Sequence, residues 1–330
     1  MTDTSMHIQN SLAEEAAAFD QRIIERTRSG FVPDLRRSVK CEYFYKSFWR
    51  DPYYIRLYLG IVMHNLLDLV TTHCGRGLRI LDAGCGPGQM SLEFARNGYH
   101  VTAIDISESC IETARKVLAE NPFKEGFGSL SYHVMPFHRA EGIYDMILFC
   151  GSLHHMEDIQ EVVHKASLML RPGGHILCYE PCHERYRQQD AAQVALIRGM
   201  LSLSDHWYDS HETGLFLSNE EALETYVNEI HTEYTLERDK DEPGGQSPHD
   251  LRTDGEEIIG ALRSQFTEIE MRPGFSFIYR LLGGMRGPED ITHSLARFFT
   301  VYDRFAVRKG FLKENYFYFL GKKKDNGKVR

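Results

Sequence analysis

Three glycines in five residues, Gly84, Gly86 and Gly88, follow directly on a short apolar run through Leu78, Ile80, Leu81 and Ala83. Behind them Met90, Leu92, Phe94 and Ala95 recur at helical spacing. The order strand, glycine turn, helix leaves backbone bare where a side chain would otherwise stand, so a ligand can approach the main chain there. About twenty residues on, Val101-Thr-Ala-Ile-Asp105 ends a second strand on a carboxylate, the group that accepts hydrogen bonds from both hydroxyls of a ribose. The two stretches together read as a nucleoside-binding half of a parallel sheet. A dinucleotide fingerprint requires G-x-G-x-x-G, whereas position 89 is Gln and the pattern here is G-x-G-x-G.

Strand and helix patterns alternate through the middle of the chain, which predicts a doubly covered parallel sheet. Strands are expected near 78–83, 99–105, 129–135, 143–150 and 174–180, and helices near 88–97, 108–120 and 157–170. Ser109-Cys-Ile-Glu112 reads as the capping box of the second helix, and Asn121-Pro122 ends it. Ahead of the sheet, Ser11-Leu-Ala-Glu14 is a further capping box whose helix carries Phe19 and Ile23 and stops at Ser29-Gly30. Asp51-Pro52 supplies an N-cap and first-turn proline for a helix striped by Ile55, Leu59, Val62, Leu66 and Val70. Beyond the fifth strand, helices are expected near 188–203 and 218–231, then a Gly/Pro-rich loop over 239–250. A strand follows at 266–272. Gly287-Pro-Glu-Asp290 opens a helix striped by Ile291, Leu295, Phe298, Tyr302 and Phe305, and Tyr316–Leu320 is a closing strand. No internal repeat is present.

The glycine stretch resembles motif I of the class I S-adenosylmethionine-dependent methyltransferases, with Asp105 matching their acidic residue after the second strand. Ile143–Asp158 resembles the family's fourth strand and following loop, and Leu170-Arg-Pro-Gly-Gly-His-Ile-Leu-Cys-Tyr-Glu180 its Arg-Pro-Gly-Gly turn and fifth strand. One glycine loop is a weak signal; four motifs in order over about a hundred residues are a strong one. The resemblance covers Leu78 to Cys182 well and the last fifty residues loosely. It implies a Rossmann-like α/β sheet of seven strands, the last antiparallel, with N-terminal helices and a helical insert after strand five. The implied division is a helical lid over 1–75, the cofactor-binding core over 76–182, an acceptor cap over 183–265, and completion of the sheet over 266–330.

The implied cofactor is S-adenosylmethionine, leaving as S-adenosylhomocysteine. Backbone around Gly84, Cys85, Gly86 and Gly88 is expected at its methionine portion, with Asp82 orienting the loop or meeting its ammonium, and Asp105 and Ile106 at the ribose. Relatives often place an acid after the third strand for the adenine amine. Here Tyr132-His-Val-Met-Pro-Phe137 holds no carboxylate, so Met135, Pro136 and Phe137 are expected to pack on the ring while a backbone carbonyl takes the amine. Cys150 is expected at the same pocket. Among the aromatics of 41–50, Tyr43, Phe44, Tyr45 and Trp49 either stack on the cofactor, facing its sulfonium by cation–π attraction, or simply pack the N-terminal helices onto the sheet.

General-base candidates are Glu180 at the carboxyl edge of the sheet, the pair His154 and His155 after strand four, His183, and His249 on the 239–250 loop. Trp207, Tyr208, Phe216, Tyr226 and Tyr234 in the insert serve either an apolar acceptor or a helical subdomain core. Cys178, Cys182 and His183 lack a second ligand pair at finger spacing, so no metal is expected. A net charge of −9 and pI near 6.0 disfavour a nucleic-acid partner. Seven scattered cysteines without a paired framework fit a reducing cytoplasm, and no run approaches the ~18 apolar residues of a membrane span. The resulting expectation is a cytoplasmic methyltransferase of a small organic acceptor, acting on oxygen or nitrogen, with natural-product and sugar-derived compounds among the candidate acceptors. A cofactor-binding regulator, an RNA or protein methyltransferase and a nicotinamide-dependent reductase are the competing readings. The sequence is compatible with an oligomer.

Overall fold

The computed structural model describes residues 3–209, 218–236 and 255–324. Its centre is a seven-stranded sheet: β1 (Arg79–Ala83), β2 (His100–Asp105), β3 (Ser129–Val134), β4 (Tyr144–Cys150), β5 (Leu170–Pro181), β6 (Phe266–Pro273) and β7 (Tyr316–Lys323). The spatial order is β3-β2-β1-β4-β5-β7-β6. Pairings among β1 to β5 are parallel, and β7 runs antiparallel to both neighbours. The chain reverses its direction of progress at β1, between β2 and β4. That switch point opens a crevice at the carboxyl ends of the strands.

Alternation along the strands sends side chains to two separate cores. Ile80, Val101, Met146, Leu148 and Leu177 lie on one face, fully or nearly fully buried. Helices α2 (52–73) and α3 (Gln89–Arg96) cover that face. Leu81, Ala83, Ile147, Phe149, Ile176 and Cys178 lie on the other. Helices α5 (Ile159–Leu168) and α8 (Gly255–Gln265) close it, the latter through Ile258, Ile259, Ala261 and Leu262. Helix α8 has no counterpart among the elements expected from sequence. Although it falls within the stretch assigned to the insert, it packs against the sheet layer.

The Asp51-Pro52 cap forms as expected, with the Asp51 carboxylate accepting from the Tyr53 N–H at 2.7 Å. The α2 stripe is buried throughout, but one turn, Arg56–Gly60, is π-helical. Two capping boxes are displaced. Helix α1 runs Asp3–Arg28, so Ser11 lies inside it. Helix α4 (Glu108–Ala119) is capped by Ser107, whose hydroxyl accepts from the Cys110 N–H. Ser109 lies two positions past that cap, inside the helix. In the insert, α6 (Gln188–Leu203) matches its expected span, and α7 (Glu220–Thr235) starts from an Asn219 cap.

Helix α9 (Glu289–Arg308) forms where expected but buries a different face. Its buried residues are Thr292, Ala296, Thr300, Asp303, Ala306 and Val307, while Ile291, Phe298 and Phe305 of the apolar stripe are exposed. Small side chains let the helix approach closely. Asp303 is drawn inside because its carboxylate accepts from the N–H groups of Ser276, Phe277 and Ile278 at 2.8–2.9 Å.

Candidate functional site

A cavity of about 1130 Å³ sits over the carboxyl ends of β1, β2, β4 and β5. Its floor begins at the glycine turn. Gly84 (φ +75°), Gly86 (φ +52°) and Gly88 (φ +84°) all occupy the left-handed region, which only glycine enters without strain. Their neighbours then separate their roles. A Cβ on Gly84 would lie 2.5 Å from the Ser152 Cβ, so Gly84 lets the loop after β4 close onto β1. A Cβ on Gly86 would meet no protein atom within 4 Å and would stand in open space. Gly88 does not line the cavity; its carbonyl accepts from the Tyr132 hydroxyl, and its missing side chain makes room for that ring.

Two carboxylates flank the turn. Asp105, at the end of β2, accepts from the Gly86 N–H at 2.7 Å and the Ser107 N–H at 2.9 Å. Burial raises its pKa above the ordinary range while these two N–H groups oppose the shift. A carboxylate offers about four acceptor sites, so Asp105, which lines the cavity, keeps capacity for a further donor. Asp82 is almost fully buried, accepts from the Ser91 hydroxyl and also lines the cavity. Burial, reinforced by the charge of Asp105 and opposed by Ser91, lifts its pKa to about 7.

Ile106, Met135, Pro136 and Phe137 line one side of the cavity, with no carboxylate among them. Cys85 and Cys150 line it as well, and burial pushes both thiols well above their ordinary range, so they present neutral, weakly polar surface. Tyr43 and Tyr45 do not line the cavity. They are exposed, Tyr43 donating to Glu25 at 3.1 Å and Tyr45 packing edge-on against Tyr208. The aromatics of this segment that do reach the cavity are Phe44, Phe48 and Trp49. Phe31, Phe44 and Trp49 also pack together, so filling the roof and lining the pocket are one role.

The base candidates separate sharply. Glu180 is completely buried and absent from the cavity wall. Its carboxylate accepts from the N–H groups of Ser152 and Leu153, both at 3.0 Å, and pairs with His154 Nδ1 at 2.6 Å. The strand-end acid expected to meet an acceptor thus holds the loop after β4 instead. His154 and His155 both line the cavity with rings 4.1 Å apart, His155 facing Glu15 of α1 at 3.3 Å. His183 is buried away from it, its Nδ1 2.6 Å from the Asn315 amide oxygen. His249 and Phe216 lie outside the described residues. Among the described residues no group of three or more His, Cys, Asp or Glu side chains is arranged to hold a metal.

Several wall residues escaped the sequence reading. Leu12, Glu15, Phe19, Ile23 and Arg26 form a roof from α1. Tyr58, from the π-helical turn, meets Tyr179 of β5 hydroxyl to hydroxyl at 3.1 Å. Burial drives both phenols well above their ordinary pKa, so they remain neutral donors. Tyr316 stacks on Tyr179, and Tyr279 and Arg280 complete the wall. Of the insert aromatics, Trp207, Tyr226 and Tyr234 are buried in the helical packing and do not reach the cavity, whereas Glu233 beside them does. A faint signal existed for Tyr179, since it precedes Glu180 at the same sheet edge. Helix α1 falls in the stretch expected as a lid, but which of its residues reach the cavity was not legible, since they precede the glycine turn by more than fifty residues.

Residues 54–230 match the family described as "Methyltransferase domain". Among curated proteins, the ubiquinone biosynthesis O-methyltransferase of Caulobacter sp. (strain K31) is 37% identical over 98 residues, 30% of this chain and 38% of that protein. The protein of the same name from Aromatoleum aromaticum is 34% identical over 111 residues, 33% of this chain and 47% of its own length. The chain thus spans less than half of the length of these relatives. Among solved structures, the N-methyltransferase NodS from Bradyrhizobium japonicum WM9, in complex with S-adenosylhomocysteine, aligns at 13% identity and a TM-score of 0.43, covering 81% of this chain and 87% of that one.

Proposed function

Because the chain belongs to the methyltransferase domain family, we propose that it moves the methyl group of S-adenosylmethionine to a small organic acceptor. One observation carries this reading: a single cavity runs from the glycine turn and its two carboxylates to a wall of aromatic rings and hydroxyls. The first end fits the cofactor. Open space over Gly86 receives backbone contact, Asp105 retains acceptor sites for ribose hydroxyls, and Asp82 is placed for an ammonium. Met135, Pro136 and Phe137 supply flat apolar surface for a base. When bound, the cofactor brings an electrophilic methyl carbon on a sulfonium, so the protein's share of the chemistry is positioning and desolvation.

The other end belongs to the acceptor. Tyr58 and Tyr179 share one hydrogen bond between two hydroxyls, which leaves the second proton of the pair to donate to an acceptor oxygen or nitrogen. His154 is the general base in this reading. Its Nδ1 is fixed by Glu180, so the buried acid orients the imidazole in the way a third member orients the base of a triad. The arrangement suits an acceptor that carries a hydroxyl on an apolar framework. The net charge of −9 weighs against an RNA acceptor. The N-terminal helices serve as lid and the helices after β5 as acceptor cap. All seven cysteines are free, as a cytoplasmic location requires.

The test is methyl transfer from labelled S-adenosylmethionine across a panel of phenols, hydroxylated terpenoids and sugars, beside calorimetric binding of S-adenosylhomocysteine. Binding with turnover supports the enzyme; binding without turnover on any acceptor would leave a cofactor-dependent regulator. For an active acceptor, Glu180→Gln and His154→Ala should each lower kcat by about 10²–10⁴-fold, the usual share of a positioned base, with cofactor affinity little changed.

A further inference from the structure

The exposed face of α9 is built like a surface that lies on a lipid bilayer. Phe298 and Val301 are each 61% exposed, Phe305 is 39% exposed, and Phe311, just past the helix end, is 60% exposed. At 100° per residue Val301, Phe305 and Phe298 form one ridge, and Phe311 extends it by packing edge-on to Phe305 at 5.9 Å. Arg297, Arg304 and Arg308 form a second ridge immediately beside the first, with exposed Lys309 and Lys313 at its C-terminal end.

Carboxylates are sparse on this surface. Those of α9 are Glu289, which pairs with Lys40, the exposed Asp290 at the N-terminal end of the basic ridge, and Asp303, which is buried under three backbone N–H groups. None of the five cations is held by a salt bridge or side-chain hydrogen bond among the described residues. Three arginines on one helix face and two lysines just past the helix end therefore gather positive charge on one side of a chain whose net charge is −9.

We infer that this face docks the protein on an anionic membrane surface, with Phe298, Val301, Phe305 and Phe311 entering the headgroup boundary and the basic ridge meeting lipid phosphates. Charge decides between the possible occupants. A symmetric contact with a second copy would set five cations against five, whereas an anionic bilayer matches both ridges at once. No helix of the described residues is long and apolar enough to cross a membrane, so the association is peripheral. It would bring an enzyme with an apolar-walled acceptor cavity to a phase where amphiphilic acceptors concentrate, but it does not depend on the catalytic reading.

The test is co-sedimentation of the full chain with vesicles of phosphatidylcholine alone and of phosphatidylcholine mixed with phosphatidylglycerol, at low and high salt. Binding should require the anionic lipid and fall with salt. Arg304→Gln with Arg308→Gln should weaken it roughly fivefold for each charge removed. Phe298→Ser with Phe305→Ser should abolish what survives high salt. All four positions are solvent-exposed, and unchanged circular dichroism and sedimentation velocity confirm that the variants stay folded. No binding to the anionic vesicles, or binding indifferent to both pairs, overturns the inference. So does a dimer in solution that the phenylalanine pair converts to monomer.

Discussion

A carboxylate buried beside a glycine turn can take a proton or wait for a cation, and Asp82 sits close to the balance between the two. Its pKa of about 7 lies above the 3.8 of an exposed aspartate, chiefly through burial. The raised value means that the fold prefers the protonated form: its stabilising effect is complete below pH 3.8 and declines as pH rises through 7. A bound ammonium prefers the opposite form. The association constant for S-adenosylhomocysteine should therefore rise between roughly pH 6 and pH 8, by less than tenfold per unit, and calorimetry on Asp82→Asn should give a flatter profile. Asp105→Ala should weaken the same ligand by about 1–3 kcal/mol through lost charge-assisted hydrogen bonds; unchanged affinity would remove Asp105 from the ribose. Both acids were legible in the sequence because each lies at or beside the end of a recognisable strand. Tyr58 and Tyr179 were not, since their contact joins positions 121 residues apart and either tyrosine alone looks like core.

Local backbone requirements are written into a sequence more plainly than the direction an element faces. The glycine turn and the Asp51 cap announced themselves, because only a few residue types tolerate those conformations, whereas residues 171–174, expected as a turn ahead of the fifth strand, are part of β5, where its pairing with β4 shifts register. The facing of α9 did not. Its apolar residues repeat at helical spacing, but small Thr and Ala side chains fit the narrow contact with the body, and that fit is a property of the partner surface. The glycine turn yields a paired prediction. Gly84→Ala would force a Cβ against Ser152 at a φ of +75°, so unfolding free energy should drop by about 1–3 kcal/mol. Gly86→Ala meets no protein atom, yet its methyl group would occupy the space assigned to the cofactor. It should cost more in S-adenosylhomocysteine affinity than Gly84→Ala does, and less in stability. Denaturant titrations beside calorimetry on both variants would expose the reverse order, which the cofactor assignment does not survive.

At the scale of the molecule, the cavity exists only while α1 stays over the sheet edge. The roof is fastened at Asp20, whose carboxylate accepts from the Ser107 hydroxyl at 2.6 Å and from the Ser109 N–H at 2.9 Å. Those groups sit at the N-terminus of α4, where the helix dipole favours a negative charge, so a residue of one helix completes the cap of another. The same α4 start follows directly on Asp105, and the cap couples roof docking to the ribose end of the cavity. Removing a charged hydrogen bond of this kind costs about 1.5–3 kcal/mol, which sets the upper limit on how far roof docking shifts. Apparent ligand affinity falls by no more than the fraction of molecules left with the roof undocked. Asp20→Ala should thus weaken S-adenosylhomocysteine by up to about tenfold to a hundredfold with the sheet intact. Hydrogen exchange should show α1 less protected in the unliganded variant and the ligand restoring part of that protection. If α1 exchanges alike in the two proteins and affinity is unmoved, the roof is a fixed wall and its link to the ribose site is broken.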